Sequence, residues 1–176
     1  MRVSDLMQAP IPTCLPSEDL RAVIDRMSST EAGMAAVVDS EGRAIAVVTE
    51  RDVLLATHTR RSALQHIQVH EVAARGVIAC EPGDAVREAL SRMREHSVRR
   101  LAVLDPLGRP VGLISADDIV SAADTLREMA TDEDEPLDMA EVAATFKRLT
   151  SRSLRRPTVS HRQASTRRAH RFATQG

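Results

Sequence analysis

The chain has 176 residues, enough for one ordinary domain, and 43% of them are hydrophobic, enough to bury a core. That apolar content is almost entirely aliphatic, with two Phe and no Trp or Tyr, which removes the aromatic platforms on which single-stranded nucleic acid stacks. No apolar run reaches membrane-spanning length, and residues 1–7 carry an early acid and no apolar stretch of the kind a secretory leader needs, so a cytoplasmic protein with no membrane partner is expected.

The first pattern along the chain is a short extended piece, residues 13–15, running into a turn at Pro16. A helix follows, with Leu20, Val23, Ile24 and Met27 spaced to form one apolar stripe. Residues 35–38 form an apolar run of the length and branching of a buried strand. Asp39 opens and Gly42 closes a turn, and residues 45–48 make the returning strand of a hairpin. A second helix starts near Thr49 and gives way to a polar connector, residues 59–68. The order then recurs: an extended piece at 79–81, a turn at Pro82, and a helix with Val86, Ala89, Leu90 and Met93 on one face. Strands at 101–104 and 111–114 flank a turn from Asp105 to Gly108, and a helix starts near Ser115. Residues 126–150 read as an acidic linker with a short amphipathic helix on which Met139, Val142, Ala143 and Phe146 share a face. Residues 151–176 are too poor in apolar groups to offset the entropy of ordering, and are expected to be disordered.

A shift of 66 residues lays the first half on the second without a gap. Val3 falls on Val69, Cys14 on Cys80, Pro16 on Pro82, Arg26-Met27 on Arg92-Met93, Asp39 on Asp105, Gly42-Arg43 on Gly108-Arg109 and Asp52 on Asp118. The expected units are therefore repeats over 1–58 and 69–125. A single fifty-residue unit buries too little to stand alone. The expected fold is α/β (α+β): two tandem β-α-β-β-α repeats packed sheet to sheet with pseudo-twofold symmetry, leaving clefts between them, plus a C-terminal helix and tail.

A duplicated unit whose second strand ends in Gly112-Leu-Ile-Ser115-Ala-Asp-Asp118-Ile119, or Ala46-Val-Val-Thr49-Glu-Arg-Asp52-Val53, resembles the CBS domain pair, named for cystathionine β-synthase. The opening Val3-Ser-Asp5-Leu6-Met7 also resembles the start of many such modules. The resemblance covers residues 3 to about 124 and implies a regulatory module that is not an enzyme. It implies an adenine nucleotide (AMP, ADP or ATP) or S-adenosylmethionine as ligand in the inter-repeat cleft, with no required cofactor and no metal. It implies that Asp52 and Asp118 hold ribose hydroxyls, that Thr49 and Ser115 contact phosphate or ribose, and that backbone at Thr13 or Ala79 meets adenine. It also implies a homodimer and an unknown protein target regulated in trans.

These roles agree with the chemistry. A carboxylate accepts two hydrogen bonds from a vicinal diol, a helix N-terminus offers N–H groups to an anion, and Arg offers a bidentate fork. The copies differ in side chains. Arg99 and Arg100 precede the first strand of the second copy, where the first has Gly33 and Met34, and Gly112 corresponds to Ala46. The expected anionic-ligand site is thus the one at Asp118, with Arg99, Arg100 and Ser115 joined by Pro12, Thr13, Gly33 and Met34 of the other copy. Gly112 is expected to let a ligand approach the backbone. The site with Ala79, Thr49 and Asp52 is expected to be weaker.

Other readings of the same residues stand beside these. Thr49-x-x-Asp52 and Ser115-x-x-Asp118 also have the spacing of a helix capping box. Arg99-Arg100 also reads as surface charge, and Arg92, Arg94 and Arg109 as ordinary solvated arginines. Cys14 and Cys80 lack the spacing of a zinc site, and read as small buried residues in preference to redox sensors. The six His show no metal-ligand spacing. Residues 1–150 carry all 25 acids, whereas residues 151–176 carry seven Arg and no acid. That tail reads as a solubilising end; the alternative is a nucleic-acid-binding protein whose basic tail contacts phosphates and whose repeats only dimerise it.

Overall fold

The computed structural model describes residues 1–60 and 62–129; the amphipathic helix over 137–149 and the basic tail lie outside the described residues. The first copy contains β1 (Thr13–Cys14), α1 (Leu20–Thr30), β2 (Met34–Val38), β3 (Ala44–Thr49) and α2 (Glu50–Arg60). After two 3-10 turns comes a short strand, β4 (Ala74–Arg75). The second copy repeats the order with β5 (Ala79–Cys80), α3 (Val86–His96), β6 (Arg100–Leu104), β7 (Pro110–Ser115) and α4 (Ala116–Met129). The expected β-α-β-β-α unit is present twice, and α4 extends four residues into the stretch read as linker.

The first helix of each copy forms where an apolar stripe meets a stop signal. In α1, Leu20, Val23 and Met27 are buried, Asp19 accepts the Ala22 N–H at 2.9 Å, and Glu31 ends the helix in the left-handed region at φ 52°. In α3, Val86, Ala89, Leu90 and Met93 are buried and Ser97 ends the helix at φ 57°, but Ala85 offers no side-chain cap. The hairpin turns are matched as well. Asp39 Oδ1 accepts from the N–H groups of Glu41 and Arg43, both at 2.9 Å, and Asp105 Oδ1 from those of Leu107 and Arg109 at 2.9 and 2.7 Å. Each hairpin shifts register at the same place, Val37/Val38 and Val103/Leu104.

Two sheets result, with strand orders β1-β2-β3-β4 and β5-β6-β7. Between them Ile11, Ala32, Met34, Ala36, Ala102 and Leu113 form a buried cluster, three of the six being Ala, which lets the sheets approach closely. The hairpins also touch: Ala44 N–H donates to Gly108 C=O at 2.9 Å. Pro110 stands at the position equivalent to Ala44 and has no N–H to return that bond.

The leading segments are exchanged between the copies. Val3 is fully buried in the core built by Val86, Leu90, Met93, Leu101 and Ile114 of the second copy. Val69 is fully buried in the core built by Leu20, Val23, Met27, Val37 and Val48 of the first. The backbone bonds repeat at the 66-residue shift. Val3 N–H donates to Asp84 C=O, and Val69 N–H to Glu18 C=O, both at 2.9 Å. Val86 N–H donates to Met1 C=O, and Leu20 N–H to Ile67 C=O. Ile67 is buried, so the end of the stretch read as a polar connector is part of the first core.

Cys14 and Cys80 lie in these two separate cores, each within sulfur hydrogen-bond range of a strand carbonyl, Ala36 or Ala102. Burial, with help from the Glu18 or Asp84 charge, pushes both thiols up to about 11. They behave as small apolar residues and do not face each other across a cleft.

Candidate functional site

The two carboxylate positions expected to hold ligand lie at matching junctions, where β3 runs into α2 and β7 into α4. At the second, Asp118 Oδ2 accepts from Ser115 N–H at 2.8 Å and Ser115 Oγ at 2.6 Å, and Asp118 N–H donates back to Ser115 Oγ at 3.0 Å. At the first, Asp52 Oδ2 accepts from Thr49 N–H at 2.9 Å and Thr49 Oγ1 at 2.6 Å, with a looser return bond of 3.4 Å. The capping-box reading is therefore realised in both copies. One oxygen of each carboxylate is committed to the helix start, and the role of Oδ1 decides what else it can do.

There the copies part. Asp118 Oδ1 accepts from Gln8 Nε2 at 2.8 Å. Gln8 belongs to the exchanged leading segment, and its backbone pairs with Leu113 in both directions, at 2.8 and 2.9 Å. The equivalent residue in the first copy is Ala74, which pairs with Val47 and has no donor to offer. Among the described residues Asp52 Oδ1 has no hydrogen-bond partner. In the sequence Gln8 is marked by nothing more than the Gln/Ala difference between positions 8 and 74.

The adjacent arginines do different work. Arg99 pairs with Asp117, Nη2 to Oδ1 at 2.9 Å, on the surface. Arg100 crosses to the other copy: a Cβ on Gly33 would stand 2.9 Å from its Cζ and Nη2. Gly33, at φ 62°, supplies both the turn and the space for that guanidinium. The Gly33 C=O accepts from Glu50 N–H, at the start of α2, and the Arg99 C=O from Ala116 N–H, at the start of α4. Arg100 thus extends from the chain that caps one helix start to the chain that caps the other. Within the described residues it makes no ion pair or hydrogen bond. Met34, which replaces it in the first copy, is buried in the central cluster.

Pro12 and Thr13 lie at the edge of the first sheet, where Pro12 C=O accepts from Ala36 N–H at 2.9 Å. At the two backbone positions expected to meet a ligand base, Thr13 C=O accepts from Arg26 Nη1 at 2.9 Å and Ala79 C=O from Arg92 Nη1 at 3.1 Å. Arg92 also pairs with Asp84 at 2.6 Å, and Arg26 with Glu18, so Arg92 is a structural residue and not an ordinary solvated one. Gly112 faces the protein's own chain as well. A Cβ there would stand 2.8 Å from Gln8 O and 3.1 Å from Met7 Sδ, so what approaches Gly112 is the chain's own leading segment.

Among the described residues no three His, Cys, Asp or Glu gather as metal ligands, and no helix is long and apolar enough to cross a membrane. The model of the CBS domain matches residues 3–58 and 69–125. An uncharacterized protein of Methanocaldococcus jannaschii is 30% identical over 122 residues, covering 67% of this chain and 41% of its own length. An inosine-5'-monophosphate dehydrogenase of Nitrosopumilus maritimus is 28% identical over 107 residues, covering 61% of this chain and 21% of the enzyme. The chain thus spans less than half of either relative. Among solved structures, a CBS domain protein of Pyrobaculum aerophilum complexed with AMP is 27% identical, with a TM-score of 0.64, covering 73% of this chain and 98% of that one. The CBS domain pair of protein MJ0100, in complex with 5'-methylthioadenosine and S-adenosyl-L-methionine, shares the fold at 19% identity and a TM-score of 0.63, covering 69% and 98%.

Proposed function

The chain belongs to the CBS domain family, and from that premise we propose that it is a regulatory binding module for an adenosyl ligand, not a catalyst. The ligand enters the cleft between copies, a Thr49–Asp52 or Ser115–Asp118 carboxylate receives the ribose hydroxyls, and Arg100 receives the anionic end. The observation that carries this reading is Arg100 itself, a guanidinium with no ion pair or hydrogen bond within the described residues, laid against Gly33 of the opposite copy. Such a group is a ready fork for phosphate oxygens, and it lies near the paired N-termini of α2 and α4, whose N–H groups and dipoles favour the same charge. The AMP complex of the Pyrobaculum aerophilum relative supports the ligand class.

Because residues of both copies would touch it, a bound ligand changes their relative packing, and a protein partner in trans reads the change. A homodimer is part of this reading. Leu54 and Leu55 on α2 are 69% and 46% exposed and supply apolar surface for it.

Isothermal titration of the full chain with AMP and with 5'-methylthioadenosine tests the assignment. Arg100→Met, which copies the first repeat, should weaken AMP about tenfold or more through loss of charge-assisted bonds while leaving 5'-methylthioadenosine unchanged. Equal loss for both ligands would remove Arg100 from the anion site. No heat from either ligand with the unaltered chain would reject the adenosyl reading.

A further inference from the structure

The two carboxylate clamps are alike at Oδ2 and unlike at Oδ1, and that difference comes from the leading segments. Position 8 of the chain carries a side-chain amide and position 74 carries a methyl. Both positions pair by backbone with the last strand of the copy they complete, Gln8 with Leu113 and Ala74 with Val47. The backbone therefore holds both residues in the same place beside the clamp, and of the two only Gln8 has a side-chain donor, which reaches its carboxylate at 2.8 Å.

We propose that Gln8 is an affinity-setting residue, an internal competitor for the diol of the ligand, which makes the Asp52 clamp fill first and the Asp118 clamp second. The inference rests on the adenosyl reading of the cleft. Oδ2 of each carboxylate is held by two donors from the helix start. A diol therefore has to engage Oδ1. At Asp52 that oxygen has no hydrogen-bond partner among the described residues. At Asp118 one of the two lone pairs of that oxygen is taken by Gln8 Nε2, so both hydroxyls of a diol can engage it only if that bond, which is charge-assisted and correspondingly strong, is broken. Exchanging one such bond for another leaves the second clamp about tenfold or more weaker than it would be alone. The resulting order is the reverse of the one suggested by Arg100 and Gly112 as second-copy residues. Arg100 lies against Gly33, whose carbonyl accepts from the first residue of α2, so its charge is available to a ligand in the first clamp as well, while Gly112 makes room for the leading segment.

Displacement also has a structural consequence. Gln8 is bonded through its backbone to β7 and neighbours Met7, which packs on the second core. Filling the Asp118 clamp thus releases a tether between the leading segment and the start of α4, while filling the Asp52 clamp releases none.

The test is calorimetry of the full chain with AMP, comparing Gln8→Ala and the reciprocal Ala74→Gln with the unaltered protein. Both side chains are exposed, so the fold tolerates either change. The expected result is a tight and a weak phase in the unaltered protein. Gln8→Ala should tighten the weak phase about tenfold, and Ala74→Gln should weaken the tight phase by a similar factor. Asp52→Asn should remove the tight phase and Asp118→Asn the weak one. If Gln8→Ala leaves the weak phase unchanged, or if Asp118→Asn removes the tight phase, the ordering is wrong although the site reading stands. Absence of heat with AMP in every variant would overturn the site reading and the ordering together.

Discussion

The sulfur of Met7 lies 3.1 Å from the point where a Cβ on Gly112 would stand, so these two positions share one side-chain volume. In the first copy the same volume is divided between Ala73 and Ala46, which both pack on the first core. Large-with-none and small-with-small are two solutions to one steric problem. Gly112→Ala should therefore destabilise the protein by about 1–3 kcal/mol through overpacking against Gln8 O and Met7. Adding Met7→Ala should recover part of the loss, giving a non-additive cycle in chemical denaturation.

The starts of α1 and α3 differ at the cap position. Asp19 caps α1, while Ala85, at the equivalent position before α3, is exposed and caps nothing. Asp19→Ala should cost about 1 kcal/mol, and Ala85→Asp should gain a similar amount. Thermal melts of the two single variants would show shifts of opposite sign. A loss of stability in Ala85→Asp would show that the second helix start cannot take the same cap.

The exchanged segments predict where damage will appear. Removing two methyls at Val3 should cost about 2 kcal/mol. The loss of protection from hydrogen exchange should be felt first in α3, whose Val86, Leu90 and Met93 surround that side chain. Val69→Ala should reverse the map and expose α1, although residue 69 is closer in sequence to α3.

The thiols set an alkaline limit. With their pKa raised from 9.0 to about 11 by burial, Cys14 and Cys80 bind more protons in the folded state than in the unfolded state between those values. Their contribution to stability is complete below pH 9 and declines as pH rises toward 11. Replacing both with Ala should flatten that alkaline decline. At pH 8 the native chain should react with thiol reagents only as fast as its cores open, which timed labelling would measure.

Much of the fold was legible because it is local. Apolar spacing located α1 and α3, Asp and Gly located both hairpins, and the 66-residue shift matched them in pairs. The Thr49–Asp52 and Ser115–Asp118 spacing marked the caps that these pairs form, at the carboxylates proposed to receive a ligand. What could not be read were contacts whose partners lie far apart in sequence. Gln8 reaches Asp118 across 110 residues, and no periodicity marks a single amide. Arg99 and Arg100 are neighbours with equal charge, and only strand geometry sends one to Asp117 and the other to Gly33. The close approach that Gly112 implies is present, but the approaching chain is the protein's own leading segment.

Seen along the direction of synthesis, the exchange makes the two copies unequal in time. Residues 20–60 gain Ile67 and Val69 almost as soon as they emerge, so the first core closes over a short loop. Val3 must wait for Ile114 and Ile119, and until then its segment has no strand to join. The second core is thus closed by the oldest part of the chain, at the long-range end of the contact distribution where folding is slowest. A circular permutant opened near Gly76, placing residues 1–8 after a short joint behind residue 129, would turn that late closure into a local one while leaving Ile67 and Val69 just behind the first core, and should fold faster without altering a single core contact.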